Sequence, residues 1–129
     1  MRVSLTRRQR NSAFNLLTAQ DVDGFAEHDW RNLARPGATS AIYMGVRAAG
    51  FVQGRLLQHG AAGNTPISIV ENASRCAERV VNGLLTDLGH MIKTHRIKGP
   101  AVIFIGLNAR QSARNLISSH HAEQQQAAA

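Results

Sequence analysis

Apolar positions along the chain follow two rhythms, and the switches between them outline the elements. Short runs rich in β-branched residues, bounded by turn residues, predict strands over 13–19, 39–45, 66–70 and 101–105. Val46, Ala49, Val52 and Leu56 recur at helical spacing and predict a helix over 46–59, with Gly60 as its left-handed stop. Trp30 and Leu33, one turn apart, predict a short helix over 28–34. Leu88, Met91 and Ile92 predict another over 86–95, with Thr86 as its amino cap. Residues 79–85 read equally as a strand or as a continuing helix. Asn108 caps a last helix to about residue 118. Segment 20–27 reads as a loop, and Arg35-Pro36-Gly37 and 97–100 as breaks.

Alternating strands and helices from residue 39 onward give an α/β class, a mixed sheet flanked by helices, with 79–85 as an added antiparallel strand. The stretch Thr39-Ser40-Ala41-Ile42-Tyr43-Met44-Gly45 is the organising strand. In open α/β sheets ligands settle where strands end and loops are free to form a crevice. The strands over 66–70 and 101–105 are expected to end at the same edge, carrying Glu71-Asn72-Ala73 and Gly106 there.

A chain of 129 residues with 43% hydrophobic and 18% charged residues is the size of one soluble domain. No apolar run approaches the roughly 20 residues that span a bilayer, and the first residues are not those of a signal peptide, which places the chain in the cytoplasm. One cysteine, Cys76, excludes an internal disulfide framework and reads as a small packed or surface thiol. The charge is unusual: 15 Lys and Arg against 8 Asp and Glu, with lysine only at positions 93 and 98. Guanidinium groups pair carboxylate or phosphate in two-pronged fashion, so an arginine-heavy protein suggests a polyanion; a solvated charge run is the plainer reading of Arg2, Arg7, Arg8 and Arg10.

Most familiar chemistries are absent. There is no Gly-x-Gly-x-x-Gly or Walker-type loop, and the acids of 20–27 lack calcium-loop spacing. The six histidines offer no ligand pair backed by a third group and read as surface or capping residues. No Ser-His-Asp or Cys-His set can be ordered from the residues alone.

Several motifs nevertheless stand in one order. Residues 37–45, then His59-Gly60, Thr65-Pro66, Val70-Glu71-Asn72-Ala73-Ser74, Arg79-Val80-Val81 and the stretch 100–106 resemble the carboxyl-terminal half of the tetrapyrrole (uroporphyrinogen-III) methylases, including the methylase module of sirohaem synthase. The resemblance runs from about Leu5 to Gly106. It implies an enzyme that moves methyl groups from S-adenosylmethionine to ring carbons of a tetrapyrrole with many carboxylates, leaving S-adenosylhomocysteine. It implies cofactor contacts at Met44, Ala73 and Ala101, substrate contacts at Arg7 and Arg8 beside the domain junction, and a homodimer. It assigns 1–12 to an interdomain linker remnant and 13–118 to the carboxyl-terminal domain; 119–129, of low complexity, reads from its composition as a disordered tail. The family's glycine-rich segment, second cofactor loop and acidic residue for proton removal have no counterpart here. The resemblance therefore implies a missing amino-terminal domain, no catalytic residue in this chain, and inactivity alone. Ala73 and Glu78 stand where the family commonly has glycine and glutamine.

Two other function classes remain open from the residues themselves. A non-catalytic ligand-binding or dimerising domain fits the exposed surface a missing half would leave. A basic nucleic-acid module fits the charge, but aromatic residues make up only 5% and do not interleave with the basic ones. A membrane role has no support.

Overall fold

From Leu17, successive cross-strand partners are Ile42, Ile103, Ile69 and Val81, one apolar rung crossing a five-stranded sheet. A computed structural model describes residues 14–22 and 24–107 of the chain. Its strands are β1 (Phe14–Thr18), β2 (Gln20–Asp21), β3 (Gly24–Phe25), β4 (Thr39–Tyr43), β5 (Pro66–Glu71), β6 (Arg79–Leu84) and β7 (Ala101–Ile105). Its helices are α1 (Trp30–Leu33), α2 (Ala49–Gln58) and α3 (Leu88–Thr94). The sheet order is β1-β4-β7-β5-β6, with β1 and β4 parallel and every other pair antiparallel. This is the expected α/β class with a mixed sheet. The last helix over 108–118, the linker over 1–12, the tail, and Arg7 and Arg8 lie outside the described residues.

Period-two alternation sorts the sheet into two faces. The rung face joins Trp30, Val52, Leu56, Leu88 and Met91 from the helices in one buried cluster. Truncating such a residue, Leu56→Ala for example, costs about 2–5 kcal/mol because the cavity only partly collapses. On the opposite face Leu16, Tyr43, Val80 and Leu84 keep exposed apolar surface.

The ambiguous stretch after residue 78 is a strand. Val80 and Val81 suit a pleated surface, and β6 pairs with β5 along its whole length, from Glu71 opposite Arg79 to Pro66 opposite Leu84. Segment 20–27 is not the uniform loop expected. Gln20 pairs with Phe25 and Asp21 with Gly24 in a minimal hairpin, too short to leave a period in the sequence.

Helix α2 begins at Ala49, three residues later than its apolar period suggested, because 46–48 form a turn whose apolar residues still face inward. It ends as predicted. Gly60, at φ +95, donates to the Leu57 carbonyl, and Ala61 donates to that of Leu56, the paired bonds of a Schellman stop. Helix α3 ends with the same two bonds, from Arg96 to Lys93 and from Ile97 to Ile92, but with an arginine in the left-handed position at φ 50.

Thr86 does not cap α3, which corrects the expectation. A 3-10 turn, Leu85–Asp87, precedes the helix, and no cap side chain bonds within it. Gln53 of α2 does this work from outside: its Oε1 accepts from the Gly89 N–H at 2.8 Å and its Nε2 donates to the Thr86 carbonyl at 2.7 Å.

The direction of β7 overturns another expectation. It runs against both β4 and β5, so its carboxyl end does not join theirs. Its first residue, Ala101, pairs with Glu71, and Gly106 emerges at the far edge. There Gly106 takes φ +83, and a Cβ on it would collide with the Ala38 carbonyl. What meets the ends of β4 and β5 is the loop leading into β7.

Candidate functional site

At the edge where β1, β4 and β5 end and β6 and β7 begin, the loops enclose an open crevice of about 640 Å³. Met44, Ala73 and Ala101, singled out from three separate stretches, all line it. Tyr43, Val46, Val70 and Val102 supply apolar wall; Arg47, Arg75 and Lys98 also line it. Core packing does not account for Met44, which is 60% exposed.

The backbone around this crevice is strained. Four described non-glycine residues have positive φ, and three of them, Met44, Asn72 and Ser74, fall on the two loops leaving β4 and β5. Side chains in the left-handed region cost of order 1–3 kcal/mol, and such residues concentrate at ligand clamps. The Met44 conformation reverses the chain out of β4, and Gly45 follows under the β7 side chains: a Cβ there would come within 2.9 Å of the Ile103 Cδ1.

Glu71 holds the walls together. It is 7% exposed, and each oxygen is used twice. Oε1 accepts from the Lys98 and Gly99 N–H groups at 3.0 and 2.9 Å. Oε2 accepts from the Arg79 Nε and a terminal guanidinium nitrogen at 3.1 and 2.6 Å. The Gly99 and Lys98 amides, then Arg79, hold its pKa down to about 2 from the ordinary 4.5, against the upward push of burial. The Asn72 N–H also donates to the Pro100 carbonyl at 2.8 Å, and a Cβ on Gly99 would come within 2.7 Å of the Asn72 amide oxygen. The loops 72–75 and 98–100 are thus one fixed wall. Reading the sequence identified the Glu-Asn pair but not this role, because its partners are 8, 27 and 28 residues away.

The remaining candidates separate. His59 and His95 stand at helix carboxyl caps and His90 is exposed, as read. His28 is half-buried, its Nε2–H donating to the Thr18 carbonyl at 2.6 Å with its ring edge-on to Trp30, so it is structural. Cys76 is exposed and free. Among the described residues no group of three His, Cys, Asp or Glu could hold a metal ion, and no helix is long and apolar enough to cross a membrane.

Known proteins share much of this sequence and its fold. The chain is 38% identical over 104 residues to siroheme synthase of Pseudoalteromonas translucida and 36% identical to that of Escherichia coli K12. Uroporphyrin-III C-methyltransferase of Thermus thermophilus superimposes with a TM-score of 0.69 at 27% identity, over 81% of this chain and 44% of that one. The chain resembles part of a tetrapyrrole methylase. The likeness to the methylases holds in both sequence and backbone, as the earlier motifs implied. The Thermus enzyme has also been determined with S-adenosyl homocysteine, and that structure superimposes with a TM-score of 0.68. Cobalt precorrin-4 methyltransferase shares the fold, with a TM-score of 0.72 at 23% identity. The aligned part is 81% of this chain but 22% of the siroheme synthases. No family model matches the chain.

Proposed function

We propose that this domain supplies one wall of an S-adenosylmethionine site in a C-methyltransferase acting on a uroporphyrinogen-type tetrapyrrole. The observation that carries the reading is the convergence of Met44, Ala73 and Ala101 on a single crevice. The crevice suits an adenosyl group. Apolar walls and the polarisable Met44 thioether offer contact to a flat heterocycle, and the small Ala73 and Ala101 allow close approach to the backbone. When bound, the cofactor would lie against Met44, Ala73 and Ala101 and would supply an electrophilic methyl group to a ring carbon, its sulfur keeping the electron pair of the broken bond while the ring system loses a proton from another position.

This chain's own residues bind and orient. Glu71 fixes the wall, Met44 and Ala73 present its surface, and none of the described residues lining the crevice is a carboxylate that could take the proton. A second domain closes the crevice and carries that base, which is consistent with a chain spanning only part of its relatives' length. Alone, the domain binds without turning over, because transfer needs donor and acceptor held in line. Leu16, Val80 and Leu84, exposed on one sheet face, support a homodimer.

Calorimetric titration of the chain with S-adenosylhomocysteine tests the reading. Binding that weakens about tenfold in Met44→Ala is expected. A folded chain that binds no S-adenosylhomocysteine, with or without an added amino-terminal methylase domain, would overturn it.

A further inference from the structure

The five-stranded sheet ends at β6, and that edge is bare. Leu85 donates its N–H to the Thr65 carbonyl, while the Pro66 carbonyl accepts from Gly106 on the opposite side of β5. With Pro66 opposite Leu84 in register, antiparallel alternation turns the N–H and C=O groups of Val80, Asn82 and Leu84 away from β5. Among the described residues no donor or acceptor meets the backbone of those three positions from the open side.

The edge also lacks the devices that keep an edge strand from pairing. Val80-Val81-Asn82-Gly83-Leu84 has no charge and no proline, and it matches β5 residue for residue without a bulge. Val80 and Leu84 are 38% and 42% exposed on the sheet face away from the helices. On the other face α3 backs the strand, with Met91 so close over Gly83 that a Cβ there would collide with its sulfur. The β1 edge differs, since His28 already takes the carbonyl of its last residue, Thr18.

A second copy of the same strand is the occupant this edge fits. Antiparallel pairing about a two-fold axis at Asn82 sets that residue against its own counterpart, and Val80 against Leu84 of the other copy. All three are outward positions, so each pair exchanges both of its N–H···O bonds. The exposed apolar side chains then cover each other on one face. A slip of two residues either way sets Asn82 against an apolar side chain and turns the other one toward Glu78 or Thr86. Charge agrees with this register. Arg79, with 43% of its side chain exposed, begins the strand and the exposed Asp87 lies just past its end, so each is brought toward the other copy's opposite charge.

We propose that two copies of the chain join edge to edge through residues 80–84 of β6, forming one sheet that runs through both. Leu16, on the far edge strand, has no part in this seam. The seam gives the proposed homodimer its register and stands whether or not the crevice takes S-adenosylmethionine, because no residue of β6 lines that crevice. One strand pair buries less than the roughly 1,200 Å² of standard interfaces, so the dimer dissociates on dilution.

Sedimentation equilibrium of the full chain over a range of concentrations, with amide hydrogen exchange at the highest and the lowest, tests the seam. Wild type should show a reversible monomer–dimer equilibrium, with the Asn82 and Leu84 amides protected in the dimer and exchanging fast in the monomer. The double variant Val80→Lys, Leu84→Lys sets like charges against each other across the axis and should weaken the dimer by about tenfold or more. Val80→Lys with Leu84→Glu sets opposite charges there and should recover most of that loss. Both side chains are exposed and away from the crevice, so circular dichroism and S-adenosylhomocysteine binding should match wild type in both variants. A chain that stays monomeric throughout, a dimer that the paired lysines leave intact, or a dimer whose Asn82 amide stays unprotected overturns the seam. Failure of the Lys/Glu variant to regain the dimer overturns the register, and the proposal with it.

Discussion

Arg79 grips the Glu71 carboxylate from the position directly opposite on the neighbouring strand, through two nitrogens at 3.1 and 2.6 Å. The other oxygen of that carboxylate fastens the loop that leads into β7. One buried charge therefore joins a strand pair to the wall of the crevice.

Replacing it should be felt in both. Glu71→Gln keeps the shape but removes the charge that four donors were arranged around, and stability should fall by roughly 2–4 kcal/mol. The pH dependence has a definite sign. A carboxyl held at about 2 in the fold and ordinarily at 4.5 stabilises the folded state above about pH 5. That contribution is lost as pH falls from about 5 toward 2. Urea melts between pH 7 and pH 3 should show the loss in wild type and a flatter profile in the variant. Parallel profiles would mean that the network contributes nothing.

Met44 should trade stability against binding. Its φ of 56 is unfavourable for any side chain, and its thioether is exposed, so little packing is lost on removal. Met44→Gly is expected to raise the melting temperature by a few degrees, consistent with about 1 kcal/mol, while weakening S-adenosylhomocysteine binding. A variant that becomes less stable would show that the side chain packs after all.

Arg96 provides the same strain away from the crevice. It occupies the position that glycine fills at the end of α2, with the same pair of closing bonds. Arg96→Gly should therefore stabilise the domain by about 0.5–1 kcal/mol without altering ligand affinity. Thermal melting and the S-adenosylhomocysteine titration together check it.

Gln53 is the external cap of α3. Gln53→Ala leaves the Gly89 N–H without its acceptor and should lower stability by about 1–2 kcal/mol. Gln53→Glu keeps the acceptor for Gly89 and adds negative charge near a helix start, but it loses the donor to the Thr86 carbonyl, so it should recover only part of that loss. If both variants match wild type in urea, the contact carries no stability.

Strand existence was legible in the residues, and strand direction was not. The runs over 39–45, 66–70 and 101–105 predict β4, β5 and β7 because apolar alternation and β-branching are local properties, although β4 stops at Tyr43. Nothing local tells which way a short apolar run points, so the placement of Gly106 beside the crevice failed, while Ala101, at the other end of the same strand, lies on it. The Gly60 stop was readable because a left-handed residue with no side chain leaves its mark in the sequence; the cap from Gln53 was not, since it reaches across 33 and 36 residues. Of the crevice, Met44 and Ala73 came from motif resemblance. Arg47, Arg75 and Lys98 looked like ordinary surface charge until the loops were brought together.

The central position of β7 has a kinetic consequence. It is the last described strand in the chain, yet it lies between β4 and β5, with β1 and β6 outside them. A nascent chain made only to residue 100 can form the local hairpin of β5 and β6 but has no strand to join it to β4, some 60 residues distant from β7 in sequence. Such long-separation contacts form late and slowly. The topology therefore predicts that the crevice forms only once β7 inserts, welding two half-sheets and drawing both loops to the same edge.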